Sequence, residues 1–392
     1  MKAFLIVGSI AALALGVLVT ALVRSIHASL GYDKQIEFDD GGCRLLSSPT
    51  AIEDLAPLGD GHSAFGGGGD LKASFYHGPA GAVPGAVWLI NATEGTLREV
   101  PIRWGAAAVP KLVIHGLHYS QTTRRLFAVN HGDTDTGETV EIFKYVDQTL
   151  VHVASVESPL FQHQALNDVV EGPGKDEFYV TEWLLFGHPR CGMLGSLTLR
   201  ERVEDFFATV IILVKFPLTR VFRCVVRDHG EWECEVATSQ RFTGANGIAA
   251  SPDGQRIYVN DAPAAKVTVF TRSTDGSLEF ESRFGTKHNL DNINIIEADG
   301  RELVVGGSLP TLHTSVTACG KGLGGAERQI ADRTVGCVAG SPGGLLVLDP
   351  RNGEVVTEKN HDGSKLSGVS TALMVGGALL LSSAFSPGVL LC

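Results

Sequence analysis

The chain has 392 residues, 44% hydrophobic and 19% charged, long enough for one large domain such as a propeller or barrel without forcing a split. Its formal net charge of −11 argues against a nucleic acid as partner, because phosphate backbones are held by clustered Lys and Arg. Aromatic residues make up only 7% while glycine occurs 47 times, a balance that suits short strands joined by tight turns.

In chain order, the first feature is an apolar run from Phe4 to Val23 with no charge before Arg24. A helix needs ~20 apolar residues to cross a bilayer core, whereas a cleaved signal peptide carries a shorter run of about 7–15. The expectation is an uncleaved signal anchor over residues 1–30, a hydrophobic helix attaching the chain to a membrane or lipid surface. The body would then be luminal or extracellular in the secretory pathway, or secreted if the segment is cut. Asn91-Ala92-Thr93 is the one glycosylation acceptor sequence, and Asn91 would be modified in that compartment.

From residue 40 to 392 one theme repeats: a turn, an alternating apolar strand, another turn. Strands are predicted at AVWLIN (86–91), RLFAVNHG (125–132), EFYVTEW (177–183), QRIYVND (255–261), ELVVGGS (302–308) and GLLVLDP (344–350). Second strands follow at TVEIFKYV (139–146), KVTVFTR (266–272) and GEVVTEK (353–359). SPDG, STDG, EADG and PRNG punctuate them as turns. A recurrence on the order of 40–50 residues is that of propeller blades. Residues 184–222 break the pattern with charge spacing that suits a helix, then an apolar stretch, and are expected to be a partly helical insertion.

Seven cysteines occur, at 43, 191, 224, 234, 319, 337 and 392, none in a CxxC pair, so a zinc ribbon is a poor reading. Their spread suits disulfides in an oxidising compartment, and the odd number leaves one unpaired, with Cys191 the expected free thiol. Cys224 and Cys234 flank RDHGEWE as a hairpin staple would. Cys43 and Cys392 lie at the two ends of the body, where a bridge would close a ring-shaped fold.

The chemistry lies in scattered Asn/Asp pairs: IEDL (52–55), ALNDVV (165–170), GANGIAASPDG (244–254) and HNLDNINII (288–296). Singly, each reads as a turn, since Asn and Asp bond nearby backbone. Together they offer carboxylate and amide oxygens from distant parts of the chain, as a hard cation requires, with 6–8 ligands at about 2.3–2.6 Å for calcium. Glu53, Asn167, Asn246, Asp291 and Asn292 make one such set, with two formal negative charges. Asp291 and Asn292 are adjacent and cannot both face one ion from a regular strand, so a strand end is expected there. His115 in VIHGLHYS and His131 in AVNHGD supply a possible base, with His118 a competitor.

In order and spacing, the cysteine before SSPTAIEDL, then IHG, VNH, LNDVV, ANGIAASPDG, LDNI and the final VLLC resemble the serum paraoxonase/arylesterase family over most of residues 40–392. The resemblance implies an all-β, six-bladed propeller with two calcium ions in its channel. Glu53, Asn167, Asn246, Asp291 and Asn292 would bind the catalytic ion. Asp54, Asp168 and the main-chain carbonyl of Leu117 would bind a deeper structural one. His115 and His131 match the family's histidine dyad, and Cys43 and Cys392 its end-joining disulfide. Glu182 stands where an acid and a histidine are expected, with Trp183 and Leu184 following, and Gly307 and Ser308 replace an expected cysteine and histidine.

The implied activity is calcium-dependent hydrolysis of a small ester or lactone. Calcium would polarise the carbonyl and a histidine-assisted water would attack. Two alternatives are a non-catalytic propeller that binds a partner around structural calcium, and a gluconolactonase-like enzyme of the same architecture. The sequence carries no sign of oligomeric state.

Overall fold

The computed structural model describes residues 20, 42–71, 83–105, 111–132, 137–162, 165–174, 176–185, 215–227, 230–298, 300–309, 329–330, 333–334 and 342–392. They form six sheets arranged as the blades of a propeller, antiparallel but for one added strand, and a separate two-stranded ribbon of Gln329–Ile330 with Arg333–Thr334. Blade one holds Asp54–Pro57, Ser63–Gly67, Val87–Asn91 and Thr96–Glu99. Blade two holds Ile114–Ser120, Arg125–Asn130, Thr139–Val146 and Thr149–Val156, with Ile102–Arg103 added in parallel at its outer edge. Blade three holds Ala165–Glu171, Glu177–Leu184, Val221–Val226 and Trp232–Val236. Blade four holds Ala245–Ala250, Arg256–Asp261, Lys266–Arg272 and Leu278–Gly285. Blade five holds Asn289–Ala298, Arg301–Leu309, Gly343–Asp349 and Glu354–His361. Blade six has Thr371–Val375 and Ala378–Leu391, and takes its third strand, Arg44–Ile52, from the other end of the chain.

Each strand expected from alternation is found. Burial explains their composition. A central strand has neighbouring blades on both faces, so Gly343–Asp349 is buried at every position. An outer strand meets solvent, and Leu278–Gly285 is exposed over most of its length. The turns behave as their residues require: Gly254 of SPDG and Gly353 of PRNG take φ of 68° and 75°, a region that side chains disfavour.

Six apolar clusters fill the six interfaces between blades. Phe65 and Leu117 join blades one and two, and Phe127 and Phe178 join two and three. Tyr179 and Ile257 join three and four, and Tyr258 and Val304 join four and five. Leu345 and Leu379 join five and six, and Leu380 and Leu55 join six and one, closing the ring. Register runs Arg44↔Leu391 to Leu46↔Val389 along the closing strand, and a Cys43–Cys392 disulfide ties its start to the end of the chain. A second disulfide, Cys224–Cys234, staples the outer hairpin of blade three as its spacing suggested.

The signal anchor at 1–30 lies outside the described residues apart from Thr20, as do Cys191, Cys319 and Cys337 and most of the insertion. The ends of the insertion are narrower than expected, since Leu184 and Val221 already belong to strands of blade three. Among the described residues the one named helical element is the short 3₁₀ turn Pro159–Phe161, and no helix is long and apolar enough to cross a membrane.

Candidate functional site

The first strand of every blade lines the central axis, and the candidate oxygen donors and His115 fall near or just before the start of these strands, while His131 follows the end of Arg125–Asn130, the second strand of blade two. Glu53 and Asp54 sit at the start of their strand, but Asp291 and Asn292 do not sit at a strand end as expected: they and the corresponding residues of blades two, three and four sit in bulges. Register breaks between Ile114 and Leu117, Leu166 and Val169, Ala245 and Ile248, and Leu290 and Ile293. The residues skipped are His115-Gly116, Asn167-Asp168, Asn246-Gly247 and Asp291-Asn292. A bulge sets two residues against one on the partner strand, which breaks the alternation of faces and lets neighbours share a side.

The arrangement alternates around the ring. Blades one, three and five contribute the carboxylates: Glu53 and Asp54, Asp168, and Asp291. Blades two and four contribute His115-Gly116 and Asn246-Gly247, and blade six Ser370-Thr371. The glycines permit close approach. A Cβ on Gly116 would lie 2.4 Å from the carbonyl oxygen of Asn167, and one on Gly247 2.5 Å from the nitrogen of Ile293. Gly307 is confined in the same way, 2.2 Å from the carbonyl oxygen of Ser370, so no side chain fits there without a backbone shift.

Hydrogen bonds fix each donor. Asn292 Nδ2 donates to both oxygens of Glu53 at 2.9 and 3.0 Å, and to Thr371 Oγ1 at 3.1 Å. Asn246 donates to Asp291. Asn167 Nδ2 meets Nε2 of His115 at 3.3 Å. The amide oxygens of all three asparagines are buried and have no protein partner. Such orphans are rare in folded proteins, and here three converge on one channel.

The main-chain carbonyl of Glu53 accepts hydroxyls from Ser370 at 2.5 Å and Ser382 at 2.8 Å. Deeper contacts use both oxygens of Asp54: Oδ1 takes Leu55 N–H and Thr371 Oγ1–H, and Oδ2 takes Leu117 N–H. Asp168 similarly accepts from Val169 and from Ile248.

Charge tells the same story. Burial raises the carboxyls of Asp54 and Asp291 to about 7. Asp291 is only half-buried by surface area, yet it sits deep enough in the channel for desolvation to dominate. Glu53 and Asp168 are pushed well above the carboxylate range, first by burial and then by neighbouring acids. Four crowded, buried carboxylates beside three orphan amide oxygens form an oxygen-only donor set that suits a hard cation. Among the described residues, no three His, Cys, Asp or Glu side chains chelate by themselves; carboxylates and amides are interleaved instead.

His115 and His131 are buried and bonded, Nδ1 to Nε2, at 2.8 Å. Nε2 of His115 lies 3.7 Å from Oε1 of Glu53. His118 points away, 6.4 Å from the ring of Phe127, and burial lowers its pKa to about 4. Glu182 is committed elsewhere: it is fully buried against Arg220 at 2.9 Å. Sequence reasoning missed Glu138, which bonds Nδ1 of His131, and the hydroxyls of Ser370 and Thr371. Nothing local marks them.

An arylesterase family profile matches residues 50–214 of the chain. Serum paraoxonase/arylesterase 2 of Rattus norvegicus is 27% identical over 289 residues, covering 70% of this chain and 72% of the relative. Its Homo sapiens counterpart is 26% identical over 368 residues, covering 88% and 86%. A solved structure assigned to the gluconolactonases superposes with a TM-score of 0.50 at 14% identity, over 90% of this chain and 92% of that one. At that identity the likeness speaks for the propeller alone.

Proposed function

From a chain whose kinship lies with the serum paraoxonase/arylesterase family, we propose a calcium-dependent hydrolase of carboxylic esters, a lactonase or arylesterase acting on a small-molecule ester or lactone. The observation that carries this reading is the convergence of three buried, unpartnered amide oxygens with crowded carboxylates in one channel. Glu53, Asn167, Asn246, Asp291 and Asn292 would hold a catalytic calcium. Asp54, Asp168 and the carbonyl of Leu117 would hold a structural one. The bound cation supplies Lewis-acid polarisation of the substrate carbonyl.

The chain's own residues do the rest. His115 sits against the cage, with Nε2 next to Asn167 and Glu53, and takes a proton from water there. His131 supports its ring from behind. Glu53 and Asn292 hold each other in place, so the amide oxygen of Asn292 stays turned to the cation. The two disulfides favour an oxidising compartment, and with residues 1–30 they support a luminal, extracellular or secreted body, attached to a membrane or lipid surface where the segment is retained. Asn91, at the end of Val87–Asn91 and entering a turn, would carry the glycan.

The test is hydrolysis of small lactones and phenyl acetate by wild type and Asp291→Ala, with and without a chelator, circular dichroism confirming the fold. Turnover that chelation abolishes, and that Asp291→Ala lacks while folded, is the expected result. A folded, calcium-loaded wild type that hydrolyses no ester would overturn the reading.

A further inference from the structure

Glu138 is a buried acid behind the channel wall, reached by residues from two blades. The main-chain N–H of Leu166 on blade three donates to its Oε2, and a main-chain nitrogen can only donate. The other oxygen, Oε1, meets Nδ1 of His131. An ionised carboxylate only accepts, so Nδ1 of His131 carries the ring proton and Nε2 a lone pair. That lone pair faces Nδ1 of His115 at 2.8 Å, so His115 is also protonated on Nδ1. Nε2 of His115 then accepts from Nδ2 of Asn167 at 3.3 Å, and the Asn167 amide oxygen turns the other way, where it is buried without a protein partner.

We propose that Glu138 is the positioning residue that sets the direction of every proton along Leu166, Glu138, His131, His115 and Asn167. One carboxylate thereby holds His115 with a lone pair rather than a proton on Nε2, where Asn167 donates to it, and Asn167 with its oxygen toward the cation. Partners behind metal ligands commonly tune the site in this way. The last link rests on the cation reading above; the tautomers of the two histidines do not.

Glu138→Gln keeps the shape and reverses the logic. A glutamine has one accepting oxygen, and the fixed N–H of Leu166 claims it. The amide NH₂ then faces His131, which must present a lone pair at Nδ1 and move its proton to Nε2. His115 flips in turn, and Asn167 turns its amide over.

The experiment records ring ¹⁵N shifts of His115 and His131 in chelated, histidine-labelled protein at about pH 8, where an ordinary imidazole is neutral. Terbium and calcium titrations of the same samples run alongside. We expect Nδ1–H tautomers for both rings in wild type, Nε2–H in Glu138→Gln, and cation affinity lowered about 10–100-fold. An Nε2–H tautomer at either ring in wild type, or unchanged tautomers in Glu138→Gln, overturns the proposal. Should Glu138→Gln fail to fold, the wild-type spectrum alone decides. A wild type that binds neither cation refutes the calcium reading, and the chelated spectra still judge Glu138.

Discussion

Oδ2 of Asp54, on blade one, accepts the main-chain N–H of Leu117, on blade two, at 2.7 Å. Asp168 of blade three repeats the contact with the N–H of Ile248 on blade four at 2.8 Å. Leu117 and Ile248 are the first residues paired again after their bulges. A carboxylate from one blade thus satisfies a donor exposed by the bulge of the next, and the same bulges that face oxygen donors to the axis stitch the inner strands together.

Asp54→Ala should therefore cost stability as well as any cation. It strips the acceptor from Leu55 N–H, Leu117 N–H and Thr371 Oγ1–H, all buried. An abandoned buried donor costs about 1–3 kcal/mol, and the expected loss is at least that in urea unfolding under chelator. Asp54→Asn retains one accepting oxygen and should lose less. Equal midpoints for Asp54→Ala and wild type would disprove the stitching role.

The raised carboxyls make a signed pH prediction. In the cation-free fold, burial lifts Asp54 and Asp291 to about 7 and Glu53 and Asp168 well above normal. Unfolded, such groups lose their protons near pH ~4. Between about pH 4 and about pH 7 the folded chain binds more protons than the unfolded one, so its stability falls as pH rises. A bound divalent cation favours the ionised forms and opposes that slope. Melting curves in chelator should show Tm declining from about pH 5 to about pH 8, and added calcium should raise Tm most at the alkaline end. A chelated protein that grows more stable with pH over this window contradicts the assignment.

Gly116 is required by contact rather than by backbone angle. A Cβ there would lie 2.4 Å from both the carbonyl oxygen of Asn167 and the Cα of Asp168, backbone that cannot rotate aside. Gly116→Ala should push blades two and three apart, with an overpacking cost of about 1–3 kcal/mol and a loss of terbium affinity. Gly230→Ala, whose added Cβ would meet nothing within 4 Å, is the control for the affinity readout, though its φ of 83° adds local strain. Equal terbium affinity in the two variants would show that the close approach does not shape the site.

Much of this was legible in the residues, and the reasons for the rest are specific. Alternation reveals a strand because a blade's inner and outer faces differ, so RIYVND and TVEIFKYV were readable in place. IEDL and LNDVV were readable as donor pairs because oxygens are countable in a sequence. The bulges were not, since a bulge is defined by the partner strand: Asp291-Asn292 interrupts its ladder only relative to Gly306 and Ser308. Glu138 was invisible for the same reason. Within GDTDTGETV it is one polar residue among several, and its role comes from Leu166 and from the direction of His131. The commitment of Glu182 to Arg220 depends on a residue at the far end of the expected insertion, just ahead of the strand Val221–Val226.

Asn246 offers the sharpest separation of binding from folding. Its side-chain oxygen is buried with no partner, so in the cation-free protein that atom contributes desolvation cost and no bond. Its nitrogen donates to Asp291. Asn246→Ala removes both atoms from a site already strained by charge, so stability in chelator should change little, by under about 1 kcal/mol for one net hydrogen bond. Calcium-dependent stabilisation and ester turnover should both collapse, because on the proposed reading a ligand oxygen is gone while His115, His131 and Glu138 are untouched. A structural asparagine behaves in the opposite way: its removal lowers stability equally with and without calcium and leaves the calcium increment intact. Paired melts of wild type and Asn246→Ala, in chelator and in calcium, distinguish the two outcomes directly.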